Sequence, residues 1–291
     1  MKKINRRKFI GRVAKGLGAA LALSYIPGSL LAEVSVGLKR LELPIGFQTY
    51  PIRAELSRDF PGTLKTMAGM GYQLVEMCSP QGYSSIGFGF LKDMKTADLK
   101  STIQDSGLIC PSCHFGFGEL APDKLDASIE FAKQLGLSQM ICSTFWLPNN
   151  STLNDYYAAA DKLNTAAVKI KKAGMQTGFH NHEFEFSSLD GQLIYDALMG
   201  RFDPALIKMQ FQTEVINLGY KASTYFNKYP GRFISSHLSD WTTDKKETAV
   251  GQGVIDWKEF FAAAKTGGVK NFFVEMNMDK FKDSASYIHG L

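Results

Sequence analysis

Four of the five histidines in this chain stand at similar points, where a short apolar run gives way to a polar segment. Imidazole changes charge near neutral pH and is a common metal ligand. Histidines scattered through a core would not be expected to share one position relative to strand-like runs. The pattern therefore predicts that several strand ends converge on one metal or acid–base site. The four residues are His114, His180, His182 and His237.

Two glutamates extend this pattern. Glu76 and Glu275 stand near the ends of the apolar runs QLVEM and FFVEM. Within a strand, residues two apart share a face, so His180 and His182 are expected to face the same way. With His237 and Glu275 from other strands, they make an N/O donor set that suits Zn²⁺, Mn²⁺, Co²⁺ or Fe²⁺.

A repeated unit must position these residues. From residue 44 onward, an amphipathic segment, a glycine and a short apolar run recur, which gives eight runs between IGFQTY and NFFVEMN. The runs do not alternate cleanly, as expected for parallel strands buried on both faces. Eight units favour a closed (β/α)₈ barrel, an α/β fold, and no Gly-rich dinucleotide fingerprint follows the first run. We predict one barrel domain over residues 40–291.

Local signals place the helix ends. Asn150 or Ser151 is expected to cap the helix that follows, and Asp256 with Glu259 resembles a capping box. Glycines that follow helical segments are expected at or just past helix C-termini, where a left-handed backbone favours them. These glycines are Gly71, Gly107, Gly136, Gly174, Gly231 and Gly268.

The first thirty-odd residues differ from the rest in composition. Residues 1–32 have a basic start, a short apolar stretch and then small residues, which is typical of a signal peptide. Asn5–Ile10 resembles a twin-arginine export signal. A Sec signal or an uncleaved anchor is the alternative. We predict a periplasmic or exported protein, without membrane attachment once the signal is cleaved.

The leader also accounts for the basic character of the chain. Seven cationic residues precede the first acid, Glu33, and removing them from the formal net charge of +5 leaves −2 for the remainder. Net charge therefore gives no support to a nucleic-acid partner. Cys110 and Cys113 have the spacing of a redox motif but stand inside an extended run, so buried packing cysteines are the better interpretation.

Several motifs together resemble one known family. IGFQTY, GFHNHEFEF, KYPGRFISSHLSDW, GQGVIDW and FFVEMN follow in order over nearly all of the chain after the leader. They are similar to the sugar phosphate isomerase/epimerase family with the xylose isomerase-like barrel. The resemblance implies one divalent metal (Mn, Zn, Co or Mg) held by strand-end side chains. By position these are His180 or His182, Gln212, His237 and Glu275.

Two departures from the family pattern stand out. Gln212 aligns with the aspartate of the family, so a neutral amide replaces a charged ligand and weakens the divalent site. Glu214, two residues on, either substitutes for it or lies too far along the strand. His180 stands where members with a two-glutamate mechanism have a carboxylate. The acid/base pair would then combine Glu275 with a histidine or with Glu185.

The resemblance implies an enzyme that abstracts a proton α to a carbonyl of a sugar or keto-sugar, as an isomerase or epimerase does. Glu275 is the expected ligand and base, and His180 and His182 are the other catalytic candidates. We expect a small carbohydrate as substrate, and a homo-oligomer is compatible with the sequence. Alternatives are a 3-keto-glycoside lyase with the same first step, or a metal-free sugar-binding barrel. Predicted substrate contacts are Glu76, His114, Trp146, Trp241 and Tyr50.

Overall fold

The structure, a computed structural model, describes residues 44–291. The predicted signal segment, residues 1–32, lies outside the described residues, and the domain start at residue 40 stays a prediction. The described residues form a closed barrel of eight parallel strands whose order follows the sequence. The (β/α)₈ prediction is confirmed.

Each barrel strand is four to seven residues long and mostly buried. The strands are β1 (Ile45–Gln48), β2 (Leu74–Cys78), β3 (Ile109–Phe115), β4 (Gln139–Cys142), β5 (Gln176–His180), β6 (Ile207–Gln212), β7 (Phe233–Leu238) and β8 (Asn271–Val274). Two short hairpins lie outside the barrel, Ser188–Leu189 with Gln192–Leu193 and Asp240–Trp241 with Glu247–Thr248.

Helices surround the strands, because each crossover between parallel neighbours must return to the same end of the sheet. The helices are α1 (Arg53–Arg58), α2 (Phe60–Gly69), α3 (Thr96–Asp105), α4 (Leu125–Leu135), α5 (Leu153–Lys172), α6 (Ile194–Arg201), α7 (Ala222–Lys228), α8 (Trp257–Gly267) and α9 (Phe281–His289). Their apolar faces pack on the outside of the barrel, as in α8, where Trp257, Phe260 and Phe261 are buried.

The predicted glycines do follow the helices with positive φ, for example Gly136 at 91° and Gly268 at 84°. The predicted cap of α5 is wrong by one or two residues. Thr152, not Asn150 or Ser151, accepts from the Asp155 amide and forms a capping box with it. The reason is that Thr152 has Asp155 three residues ahead, which returns a hydrogen bond to its backbone N–H.

Two further expectations concern α8 and the cysteines. Asp256 does cap α8 through the Glu259 amide at 2.9 Å, but the Glu259 side chain accepts from Ser223 instead of closing a capping box. All four cysteines are free and buried, and Cys110 and Cys113 lie within β3, as predicted. In residues 44–291, no helix is both long and apolar enough to cross a membrane.

Candidate metal and acid–base site

Strand register brings the predicted residues together at the C-terminal end of the barrel, the end at which TIM-barrel active sites lie. Gln212 on β6 pairs with His237 on β7, and His180 on β5 pairs with Gln210 on β6. Glu275 directly follows β8, and its amide donates to the Leu238 carbonyl at the end of β7. The convergence expected from the sequence is therefore present in the structure.

Glu76 lies at the centre of the site and is fully buried. Its Oε1 accepts from Ser112 Oγ at 2.5 Å and from Gln210 Nε2 at 2.8 Å. Its Oε2 accepts from Gln48 Nε2 at 2.9 Å and from His237 Nε2 at 2.5 Å. A substrate contact for Glu76, predicted from the sequence, would require it to give up one of these four bonds.

His237 lies between two carboxylates. Its Nε2 faces Glu76 Oε2, and its Nδ1 lies 2.8 Å from Glu275 Oε2. Both partners are acceptors, so both ring nitrogens donate and the ring is an imidazolium. Burial alone would lower the pKa of His237, but Glu275 and Glu76 outweigh burial and raise the pKa to about 10.

The two carboxylates respond in the opposite direction. Burial alone would raise the pKa of Glu76 and of Glu275. The neighbouring histidines, His237 among them, outweigh that penalty and lower both pKa values, that of Glu76 well below its ordinary range. Glu76, His237 and Glu275 thus form an anion–cation–anion row in the interior, which we call the charged row.

His180 and His182 have the opposite character. Burial is the main reason that the pKa of His180 is well below its ordinary value and that of His182 is about 4. Both rings are therefore neutral at pH 7. Their Nδ1 atoms are buried and have no hydrogen-bond partner within residues 44–291. The ring centroids lie 4.7 Å apart in an edge-to-face arrangement, and we call these two residues the neutral pair.

Gln212 connects the charged row to the mouth of the barrel. Its Nε2 donates to Glu275 Oε2 at 2.5 Å, while its Oε1 is buried and unpartnered among the described residues. Glu214 leaves the strand, because β6 ends at Gln212 and residues 213–218 form a 3₁₀ helix. The alternation that would have placed Glu214 beside Gln212 therefore does not continue. Burial raises the pKa of Glu214 to about 7.

The donor set can be tested against a divalent metal. A metal ligand needs a free lone pair, and buried polar atoms without partners are the natural candidates. His180 Nδ1, His182 Nδ1 and Gln212 Oε1 meet this requirement. Nitrogens of His114, His180 and His237 also lie within 4.8 Å of one another and could hold an ion. His237 can join either set only by giving up one of its carboxylate bonds. The residues thus fit an N/O-ligated metal.

Glu185 contacts the backbone of the neutral pair. Its Oε2 accepts from the His182 amide at 2.7 Å, and its Oε1 is buried without a partner among the described residues. Burial raises the pKa of this carboxyl to about 8. The group therefore retains a proton near pH 7 and can donate it.

The predicted aromatic contacts differ in exposure. Trp146 is 67 % exposed and follows β4, whereas Tyr50 is 36 % exposed and lies under the Arg53 guanidinium, 4.3 Å from its ring centroid. Trp241 is half-buried and donates from Nε1 to Ser239 Oγ at 3.2 Å. Of these three side chains, only Trp146 exposes most of its surface.

Asp240 builds the loop that carries Trp241. This buried carboxylate accepts from the amides of Trp241, Gly251, Gly253 and Ile255 and from the Trp257 indole. A Cβ at Gly253 would meet Asp240 Oδ1 at 2.1 Å, so only glycine fits there. The GQGVIDW motif therefore has a structural explanation.

Sequence reasoning missed Gln210. Its Nε2 donates to Glu76 and to Ser235 Oγ, and its Oε1 accepts from His114 Nε2 at 2.6 Å. His114 also stacks on His237 with ring centroids 5.1 Å apart. The available signal was a polar residue inside the buried run KMQFQ, two positions before Gln212 and thus on its face.

Comparison with known proteins agrees with this architecture. Residues 64–290 match the xylose isomerase-like TIM barrel family, and the chain belongs to that family. A search of curated proteins finds no match.

Solved structures share the fold at low sequence identity. A sugar phosphate isomerase/epimerase from Parabacteroides distasonis ATCC 8503 is 23% identical, with a TM-score of 0.71 over 87% of this chain and 96% of that one. An L-ribulose 3-epimerase is 17% identical, with a TM-score of 0.55 over 86% of each chain. A xylose isomerase-like TIM barrel protein from Mycobacterium smegmatis, in complex with magnesium, is 12% identical, with a TM-score of 0.63 over 86% of this chain and 96% of that one. At these identities the likeness concerns the fold.

Proposed function

We propose that this protein is a sugar isomerase/epimerase-like enzyme that abstracts a proton from the carbon next to a carbonyl of a sugar or keto-sugar. The observation that carries the proposal is the pairing of two electrostatic environments at one barrel mouth. The charged row holds an ionised carboxylate, Glu275, while the neutral pair offers free imidazole nitrogens. Family membership and the sugar isomerases and epimerases among the solved structures support it.

Glu275 is the proposed base. Hydrogen bonds from His237 and Gln212 fix its Oε2, and its side chain keeps 16% exposure, whereas Glu76 and His237 have none. A base must reach the substrate proton, so this exposure favours Glu275 over Glu76. In isomerisation Glu275 can return a proton to the neighbouring carbon, whereas epimerisation requires a second group to deliver a proton to the opposite face of the same carbon.

We propose that the neutral pair lies next to the carbonyl group of the substrate. An unprotonated imidazole can bind a metal or hold a substrate hydroxyl through its lone pair. Glu185 keeps its proton near pH 7, but it is fully buried and contacts the His182 backbone amide, so its proposed role is to hold His182 in position. A divalent metal (Mn, Zn, Co or Mg) held by His180 or His182, Gln212, His237 and Glu275 would supply Lewis-acid stabilisation of the developing oxyanion.

Export is a separate part of the proposal. The twin-arginine-like segment Asn5–Ile10 supports it, and that segment lies outside the described residues. An Arg6→Lys, Arg7→Lys variant is expected to remain in the cytoplasm, while the parent protein appears in the periplasmic fraction. Equal distribution of the two proteins would contradict twin-arginine export.

The reaction can be tested by hydrogen exchange. Chelator-treated protein, with and without added Mn²⁺, Zn²⁺, Co²⁺ or Mg²⁺, is incubated in deuterated water with free sugars and 3-keto-glycosides. NMR is expected to show loss of one C–H signal next to a carbonyl, abolished in Glu275→Gln. Elimination of the glycosidic group would identify the lyase variant. Absence of exchange with every sugar and metal would contradict the enzyme.

One observation favours a second candidate, a metal-free sugar-binding barrel. Both nitrogens of His237 are satisfied by carboxylates, and Gln212 supplies an amide in place of a carboxylate. The charged row is therefore complete without a metal. Sugar binding without hydrogen exchange in the same experiment would select this candidate.

A further inference from the structure

A cavity adjoins the neutral pair but lies outside the charged row. It has a volume of about 390 Å³ and is formed by the loops that follow β4 and β5, together with one side of α5 and α6. A volume of this size falls within the range of small-molecule sites. Trp146, Tyr156, Phe184 and Leu189 supply its apolar surface, and Thr144 and Asn149 supply polar atoms.

Two aromatic side chains in this cavity are exposed. Trp146 is 67% exposed and Phe184 is 42% exposed. Trp146 also has a positive φ of 52°, a conformation that bulky side chains rarely adopt. The indole remains exposed although its backbone is strained, and backbone strain of this kind clusters at ligand-binding sites. A flat ring that covers the indole would explain both its exposure and its backbone.

Two aromatic side chains of the cavity also approach His182 of the candidate site. The Phe184 ring lies parallel to His182 at a centroid distance of 5.3 Å, and Trp146 lies 6.5 Å from His182. His182 in turn lies 4.7 Å from His180. The cavity therefore lies one aromatic side chain away from the neutral pair.

The lining specifies the chemistry of that group. Among the described residues, every side chain that lines the cavity is uncharged. A phosphate would find no cation there. Asn149 and Ser151 line the cavity with polar side chains, so a ligand hydroxyl could hydrogen-bond to them. Aromatic faces with a few polar atoms suit a pyranose ring, which has an apolar face and hydroxyl edges.

We propose that this cavity is a subsite for a second, uncharged ring, so that the substrate is a glycoside or disaccharide rather than a free or phosphorylated monosaccharide. The inference rests on the proposed function, since it assigns the reacting sugar to the neighbouring histidines. Trp146 and Phe184 stack on the added ring, and Asn149 contacts one of its hydroxyls.

Binding measurements test the subsite without relying on turnover. Dissociation constants are measured by calorimetry on the full-length protein for glucose, galactose, mannose and xylose. Each sugar is compared with its phenyl glycoside, with a disaccharide that carries it and with its phosphate ester. For at least one sugar, a ring-extended form is expected to bind ten-fold or more tightly than the parent. The phenyl and disaccharide arms show which type of ring is preferred.

Variants test whether the cavity causes the preference for a ring-extended form. Trp146→Ala and Phe184→Ala are each expected to remove most of it, while Trp146→Phe keeps most of it. Ile109→Ala, which truncates an exposed apolar side chain at the start of β3, is the matched control and should retain it. The subsite is overturned if no ring-extended form is preferred, if the phosphate ester binds best, or if Trp146→Ala keeps the preference.

The experiments can reject the proposed enzyme and the proposed subsite independently of each other. Loss of the preference with intact hydrogen exchange would reject the subsite and leave the enzyme. Preference for a ring-extended ligand without hydrogen exchange would retain the subsite on a binding protein.

Discussion

The charged row and the neutral pair contain the same residue type in opposite states. His237 has a carboxylate at each ring nitrogen, so its pKa is raised to about 10 although it is fully buried. His180 and His182 are also withdrawn from water, but their Nδ1 atoms have no partner among the described residues. Burial then dominates and lowers both pKa values.

The difference shows that partners, rather than depth, decide the charge of a histidine in this barrel. Hydrogen bonds among its own members hold the charged row in place, whereas the free nitrogens of the neutral pair are available to a metal or a substrate. The structure thus separates a charged half, which contains the proposed base Glu275, from a neutral half with free ring nitrogens.

Removal of His237 should have the largest effect. His237→Ala leaves Glu76 and Glu275 without their shared cation, and uncompensated buried charge costs about 3–5 kcal/mol of unfolding free energy. Urea denaturation at pH 7 measures the loss. Glu55→Ala, which breaks the exposed pair with Arg58, is the control and should cost less than about 0.5 kcal/mol. Equal losses in the two variants would show that the row is not a structural unit.

Metal binding should stabilise the protein through the free nitrogens of the neutral pair. At a concentration of about 100 times Kd, Mn²⁺ or Co²⁺ should raise the unfolding free energy by about 2.7 kcal/mol. His180→Gln and His182→Gln should each reduce this gain, because they remove unpartnered nitrogens. Thermal unfolding of chelator-treated protein provides the measurement. No shift with any divalent ion would favour the metal-free barrel.

The effect of Gln212→Asp should change from unfavourable without a metal to favourable when a metal is bound. Without an ion, a second carboxylate beside Glu275 repels it and should lower stability by about 1–2 kcal/mol. With an ion, the added charge should increase affinity about ten-fold, which corresponds to about 1.4 kcal/mol. Gln212→Asn is the uncharged control of the same length. If Gln212→Asp and Gln212→Asn behave alike, the position does not contact a metal.

The neutral pair should give the smallest effect, a dependence of stability on pH. His182 has a pKa of about 4 in the folded protein and an ordinary value of 6.5 when unfolded. The unfolded chain therefore binds protons first, and stability falls as pH decreases from about 6.5 to about 4. Because solvent screens this half-buried group, we expect a loss of about 1 kcal/mol over the whole range. His182→Gln should flatten the slope, and an unchanged slope would contradict the assignment.

The fold could be predicted from the sequence because the same local physics repeats eight times. Short apolar runs, amphipathic helices and glycines that end those helices each point to one βα unit. Gly136 and Gly268 illustrate this, because each has the positive φ that ends a helix. Strand-end histidines could likewise be assigned to one mouth, because parallel strands share their C-terminal edge.

The hydrogen-bond partners within the site could not be predicted in the same way. Whether His237 contacts Glu76, Glu275 or a metal depends on register across β2, β7 and β8, which no local pattern encodes. Glu214 shows a related difficulty. The sequence left open whether it substitutes for Gln212 or lies too far along the strand, and in the structure the strand ends at Gln212 and the backbone turns into a 3₁₀ helix.

Histidine-resolved NMR titration of chelator-treated protein tests the separation most directly, with resonances assigned from the His180→Gln, His182→Gln and His237→Gln variants. We predict that His237 remains protonated at pH 8 and loses its proton near pH 10, while His182 remains neutral down to about pH 4 and His180 is neutral at pH 6. Titration of all three rings together near pH 6.5 would contradict the division into a charged row and a neutral pair.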